Sequence, residues 1–182
     1  MRIKRKKRKV RQFTIHILAV PAFSEDMFDV PHKQCAIILL TTRTTPFLDR
    51  TDIPKLVIDI IDVEDEKEYG AFRRYHAKRV IYFVRHLPKE VTDLYVSCSK
   101  GGSRSPGCAA AIMLMSGRSD KDVWLNPFYT PNVLVFKVLC REFGLFMPDI
   151  LVAIRQHMNE QAYRKAQKFK NAGKYERWQI LW

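Results

Sequence analysis

Leu94-Tyr-Val-Ser-Cys98-Ser-Lys-Gly-Gly-Ser-Arg104-Ser105-Pro106 is the stretch that decides the reading of this chain. Leu94–Ser97 has the composition of a short buried strand and runs straight into a cysteine. A glycine-containing turn follows. The Ala-rich run after it, to about Met115, reads as a helix, with Pro106 suited to the first turn and Gly117 just past the end. A strand, a glycine turn and a helix make a natural oxyanion site. Backbone N–H groups in the turn converge on one point, and the helix start adds its positive dipole end. Gly101 and Gly102 let the backbone curl without side-chain obstruction. Arg104 offers a planar fork for two oxygens of one phosphate. Cys98 stands at the centre of that field, which favours thiolate over thiol. Ser105 lies within reach of the sulfur and can ease its later departure as a leaving group. The chemistry suggested is two-step nucleophilic catalysis at phosphorus.

Working outward, the other elements suit an α/β domain. Gln12–Val20, Gln34–Leu40 and Lys55–Ile61 are apolar runs of strand length, largely buried on both faces. Ser24–Lys33 and Thr41–Pro54 read as loops, and Asp62–Glu68 as an acidic loop. Ala71–Leu87 reads as an amphipathic helix stopped by Pro88. Pro131–Phe143 is a second such helix, with Leu134, Val138 and Leu139 inward and Gly144 as its C-cap. Pro148–Lys170 is a long final helix with a basic end. The expected fold is a central mixed, largely parallel sheet of about four or five strands flanked by helices, with the Cys98 loop at a strand's carboxyl end. Residues 1–11 form a basic arm, 12–170 one domain, and 171–182 a tail carrying Trp178, Ile180, Leu181 and Trp182.

A bare Cys-x5-Arg is weak evidence, but the fuller string in this context is specific. Cys98-Ser-Lys-Gly-Gly-Ser-Arg104-Ser105 resembles the signature loop of the protein tyrosine phosphatase superfamily, in its compact dual-specificity-like branch. Leu56–Ile61 with the acidic residues after it resembles the general-acid region. Phe72–Leu87 resembles the helix before the signature strand, and Tyr129-Thr-Pro-Asn132 a segment common in microbial members. The resemblance spans roughly Gln34–Gly144. It implies Cys98 as nucleophile, Arg104 as phosphate binder, Ser99, Lys100, Gly101, Gly102 and Ser103 as the amide cradle, and Ser105 as the hydroxyl assisting phospho-enzyme hydrolysis. It implies no metal and no organic cofactor.

The family also needs an aspartic acid to protonate the leaving oxygen. Asp59, Asp62 and Asp65 lie upstream of Cys98; Asp59 falls inside the strand, Asp62 directly follows it, and Asp65 fits the usual spacing better. Asp62 is placed first and Asp65 second, against the plain alternative of a strand-end or helix-capping carboxylate. Where the family usually has histidine before the cysteine, this chain has Ser97, which cannot supply a positive charge. Lys100 either adds charge beside the phosphate or simply faces solvent. Cys108 reads as a small core residue.

The expected activity is cysteine-dependent hydrolysis of phosphotyrosine, and of phosphoserine and phosphothreonine if the pocket is shallow, on phosphorylated protein. The alternatives are a phosphoinositide or RNA 5′-phosphatase, and a catalytically weak phosphate-binding module. Charge bears on partners. The chain has 182 residues and a formal net charge of +13; eight positive charges fall within Met1–Arg11, which leaves +5 on the rest. The arm is either a solvated tail or a contact for an anionic partner, nucleic acid or acidic lipid. Four cysteines without CxxC or Cys/His spacing suggest a reducing, cytoplasmic setting. The apolar stretch Phe13–Phe23 contains His16 and Pro21 and fits a strand better than a signal peptide. No apolar run approaches membrane-spanning length.

Overall fold

The computed structural model describes residues 10–28 and 30–171. Residues 1–9 of the basic arm and 172–182 of the tail, with its tryptophans, lie outside the described residues; of the arm's last two residues, Val10 is buried in the main core and Arg11 donates to Pro88 O and Lys89 O. The apolar runs become four strands: β1 (Thr14–Ala19), β2 (Cys35–Leu39), β3 (Lys55–Val57) and β4 (Asp93–Cys98). They form one sheet in the order β1-β4-β2-β3, and every pairing is parallel. The mixed character expected for the sheet therefore resolves to parallel throughout the described residues. β2 and β4 are buried at every position because each has a neighbour on both edges and cover on both faces. The register pairs Ala19 with Cys98 and Leu39 with Ser97. The carboxyl ends of β1, β4 and β2 thus reach one rim together.

The two faces of the sheet are covered differently. Ala36, Ile38, Leu94 and Val96 face α2 (Arg74–His86), α3 (Arg104–Met115) and α5 (Val133–Phe143) in the main core. Cys35, Ile37, Leu39 and Tyr95 face a smaller core closed by Phe23, Leu48, Ile53 and partly buried Phe28. That second layer is built from short 3-10 turns and α1 (Pro46–Arg50) rather than long helices. α3 is buried almost throughout, and its run Ala109–Ala111 lets β4 and α5 approach its backbone closely. α4 (Lys121–Leu125) follows, and α6 (Asp149–Asn171) is pinned to it. Buried Asp120 accepts from Arg155 Nε at 2.6 Å and Nη2 at 3.1 Å, and from Trp124 Nε1 at 2.9 Å.

Three local departures have clear causes. The expected loop Thr41–Pro54 contains α1, because Thr45 caps the Leu48 N–H and Pro46 is pre-set for a first turn. β3 ends at Val57, four residues earlier than its apolar run, since the chain leaves the sheet after the Ile58 N–H bonds Leu39 O. α2 begins at Arg74 rather than Ala71, where the Arg73 N–H donates to His76 Nδ1 at 3.0 Å. α5 ends as expected, on Gly144 at φ 83°. Leu134, Val138 and Leu139 are all buried.

Candidate active site

β4 delivers Cys98 to the rim, and the chain turns at once into α3. Gly101 makes that turn possible. Its φ is +69°, and a Cβ there would lie 2.7 Å from Ala19 N and 2.8 Å from Leu18 C, inside the backbone of β1. Gly102 is different: a Cβ would meet nothing nearer than Phe128 O at 3.9 Å. So the freedom read from both glycines is required at only one of them.

Cys98 is 1% exposed, with Sγ 3.2 Å from Ser105 Oγ. Burial alone pushes the thiol up. Hydrogen bonds from the Ser105 hydroxyl and from the backbone of Ser105, Lys100 and Ser103 more than offset it, and hold the thiol below its ordinary value. The other three cysteines behave oppositely. Burial pushes Cys35 up to about 11 and Cys140 up to about 12, and drives Cys108 higher still, with the Cys98 charge adding to the burial. Cys108 is a fully buried core residue, as its sequence context suggested.

Arg104 opens α3 and is 8% exposed. Nη1 donates to Leu40 O at 2.9 Å and to Ile60 O at 2.7 Å, and Nη2 to Ser99 Oγ at 3.1 Å. Ser99 Oγ is in turn 3.2 Å from Thr41 Oγ1. The guanidinium therefore ties the ends of β2 and of the segment after β3 to the loop. Its Nε is buried with no hydrogen-bond partner and lies 3.9 Å from Asp62 Oδ2. A buried cationic donor left open beside a cradle of N–H groups suits an incoming anion.

The structure brings Asp62 to this loop and leaves Asp65 in a turn of its own. Asp62 Oδ1 accepts from Ser103 Oγ at 2.8 Å and from Asn132 Nδ2 at 2.9 Å. Asp65 is exposed, and its Oδ1 accepts from the Lys67 N–H. Asp59 is exposed between buried Ile58 and Ile60. Lys100 faces solvent. Ser97 is fully buried, and its hydroxyl donates to Leu18 O at 3.0 Å, stitching β4 to β1, with a longer contact to Cys98 O at 3.5 Å.

Two contributors were not singled out as site residues in the sequence. Thr41 supports Ser99, as above. The segment Tyr129–Asn132 braces the loop from outside: the Thr130 N–H donates to Gly102 O at 2.7 Å and the Asn132 N–H to Ser103 O at 3.0 Å. Asn159 of α6 holds the approach to that segment, donating to Trp124 O and Tyr129 O. The sequence signal for the brace was the string Tyr129-Thr-Pro-Asn132 ahead of an apolar helix, noted above for its family resemblance and not for a contact with the Cys98 loop. Among the described residues no cluster of His, Cys, Asp or Glu has the arrangement to hold a metal ion, and no helix is long and apolar enough to cross a membrane. No protein-family model and no curated protein matches this sequence.

Proposed function

We propose that the chain is a cysteine-dependent phosphatase of phosphorylated proteins, resembling the compact members of the protein tyrosine phosphatase superfamily. The observation that carries this reading is the environment of Cys98. Its sulfur sits under hydrogen-bond donors from Lys100, Ser103 and Ser105, and the Arg104 Nε of the same loop has no hydrogen-bond partner in the protein. Such a site binds a tetrahedral dianion and places a thiolate beneath its phosphorus.

In the first step the Cys98 thiolate attacks phosphorus in line, and the P–O bond to the leaving group breaks. Asp62, protonated, gives its proton to the departing oxygen. In the second step Asp62, now a carboxylate, takes a proton from water as that water attacks the phosphocysteine. The S–P bond breaks, and the Ser105 hydroxyl stabilises the sulfur as it leaves. The products are the free hydroxyl compound and inorganic phosphate. Arg104 and the loop N–H groups hold the equatorial oxygens in both steps. Phosphotyrosine protein is the substrate proposed first, in a reducing cytoplasm, which the four free cysteines favour.

The test is hydrolysis of para-nitrophenyl phosphate with chelator present. Turnover by the unmutated protein, abolished in Cys98→Ser and in Arg104→Lys, is the expected result. Turnover that persists in Cys98→Ser rejects the proposal. Comparison of a phosphotyrosine peptide with a phosphoinositide and with 5′-phosphorylated RNA then orders the substrates.

A further inference from the structure

Asn132 uses all its polar groups, and between them they reach three parts of the site. It is 1% exposed. Its side-chain Oδ1 accepts from the Val135 N–H at 2.9 Å, capping α5. Its Nδ2 donates to Asp62 Oδ1 at 2.9 Å and to Val63 O at 3.1 Å. Its backbone N–H donates to Ser103 O at 3.0 Å, and its carbonyl accepts from the Phe136 N–H at 3.2 Å. One residue at the start of α5 therefore ties that helix to two segments distant in sequence, the acidic loop through its side-chain amide and the Cys98 loop through its backbone N–H.

The approach is tight on the other side. A Cβ at Gly107, on the first turn of α3, would stand 2.5 Å from Asn132 O and 3.1 Å from Asn132 N. Glycine at that position lets α3 press against the brace. With the backbone held there and the amide oxygen committed to the cap, the two Nδ2 hydrogens have one direction left, toward Asp62 and Val63. Glu64 reinforces the same contact from the acidic loop, accepting from the Val133 N–H at 3.2 Å.

We infer that Asn132 is a positioning residue that fixes the Asp62 carboxyl over the Cys98 loop, so that the acid is in place before substrate arrives. The inference rests on the function proposed above, with Asp62 as the acid. It gives Gly107 a role too, as the position whose missing side chain lets Asn132 sit where it does. A free loop has to be ordered in each cycle, whereas an acid held at the required distance contributes its full effect at once.

Asn132→Ser tests this. A serine hydroxyl keeps the N-cap of α5 and removes both Nδ2 donors. Asn132→Asp also keeps the cap, and sets a second carboxylate against Asp62. Turnover is compared on para-nitrophenyl phosphate, whose leaving group needs little protonation, and on phenyl phosphate, whose leaving group needs it. The expected result for Asn132→Ser is a kcat loss of about 10- to 100-fold on phenyl phosphate and only about threefold on the nitrophenyl ester, with KM little changed. In an Asp62→Asn background the same substitution should cost no more than about twofold, since the acid it positions is gone. Equal losses on both esters, or an undiminished loss in the Asp62→Asn background, overturn the inference while the phosphatase reading stands.

Amide hydrogen exchange gives a readout that needs no turnover. Residues 61–66 should exchange faster in Asn132→Ser, with α5 and α3 as protected as before. Unchanged exchange in 61–66, or loss of protection in α5 to the same degree, overturns the inference. Turnover that survives Cys98→Ser rejects the phosphatase reading instead, and the exchange result still decides whether Asn132 holds the loop. Gly107→Ala, which touches neither Asp62 nor Cys98 directly, should reproduce the ester-dependent loss by displacing Asn132.

Discussion

Truncating Arg104 to alanine removes a group that serves the fold and, in the proposed function, the anion. In the free protein its Nη1 satisfies two carbonyls, Leu40 O at 2.9 Å and Ile60 O at 2.7 Å, and Nη2 reaches Ser99. A buried acceptor left without a partner costs about 1–3 kcal/mol. Two such carbonyls and the Ser99 contact would cost about 3–6 kcal/mol. Relief from burying a cation with an open Nε offsets part of this, and a net loss of about 2–4 kcal/mol is expected. Against a typical domain stability of about 5–15 kcal/mol, Arg104→Ala should still fold. Urea unfolding followed by circular dichroism measures the loss as a lower midpoint at constant slope. A loss below about 1 kcal/mol would refute the bracing role. The anion role is read in the same assay with inorganic phosphate. At a hundred times its dissociation constant a ligand stabilises by about 2.7 kcal/mol. Arg104→Lys keeps the charge and loses Nε and the fork, so most of that stabilisation should vanish. Equal stabilisation of Arg104→Lys and the unmutated protein would refute the assignment of Nε to the anion.

Other outcomes follow from the same geometry. Iodoacetamide at mildly acidic pH should modify Cys98 alone, since its thiol is held below the ordinary value while Cys35, Cys108 and Cys140 are pushed up; mass spectrometry reads the site, inorganic phosphate should protect it, and equal labelling of another cysteine counts against the assignment. Gly101→Ala should destabilise by about 2 kcal/mol or more, through positive φ and contact with β1 backbone, while Gly102→Ala stays within about 1 kcal/mol; thermal unfolding of the pair tests the contrast. His76 is brought down to about 4 by burial first and then by Arg79 and Arg73. An unfolded histidine takes its proton near 6.5, so the stability His76 contributes is complete above that value and declines as pH falls toward 4. The decline is roughly 2 kcal/mol by pH 5, and His76→Gln should lack it; parallel pH profiles for the two proteins would contradict this.

The sequence alone determined the strand–cysteine–turn–helix unit, because its parts are neighbours in the chain. Cys98, the glycine turn, Arg104 and Ser105 span eight residues, and local geometry forces them around one point. The buried strands and long helices were legible for the same reason, since hydrophobic period and caps act within a few residues. Other questions depend on contacts between segments far apart in the chain. The sequence placed Asp62 ahead of Asp65 on position alone; contacts from Ser103 and Asn132, 41 and 70 residues downstream of Asp62, are what bring Asp62 to the Cys98 loop. Ser97 occupies the place of an expected histidine, but its direction was set by the β1 carbonyl of Leu18. The open Nε of Arg104 appears only once Leu40, Ile60 and Ser99 have engaged Nη1 and Nη2. Spacing along a chain records which groups are present, whereas hydrogen bonds satisfied across the fold decide which of them are held and which stay free.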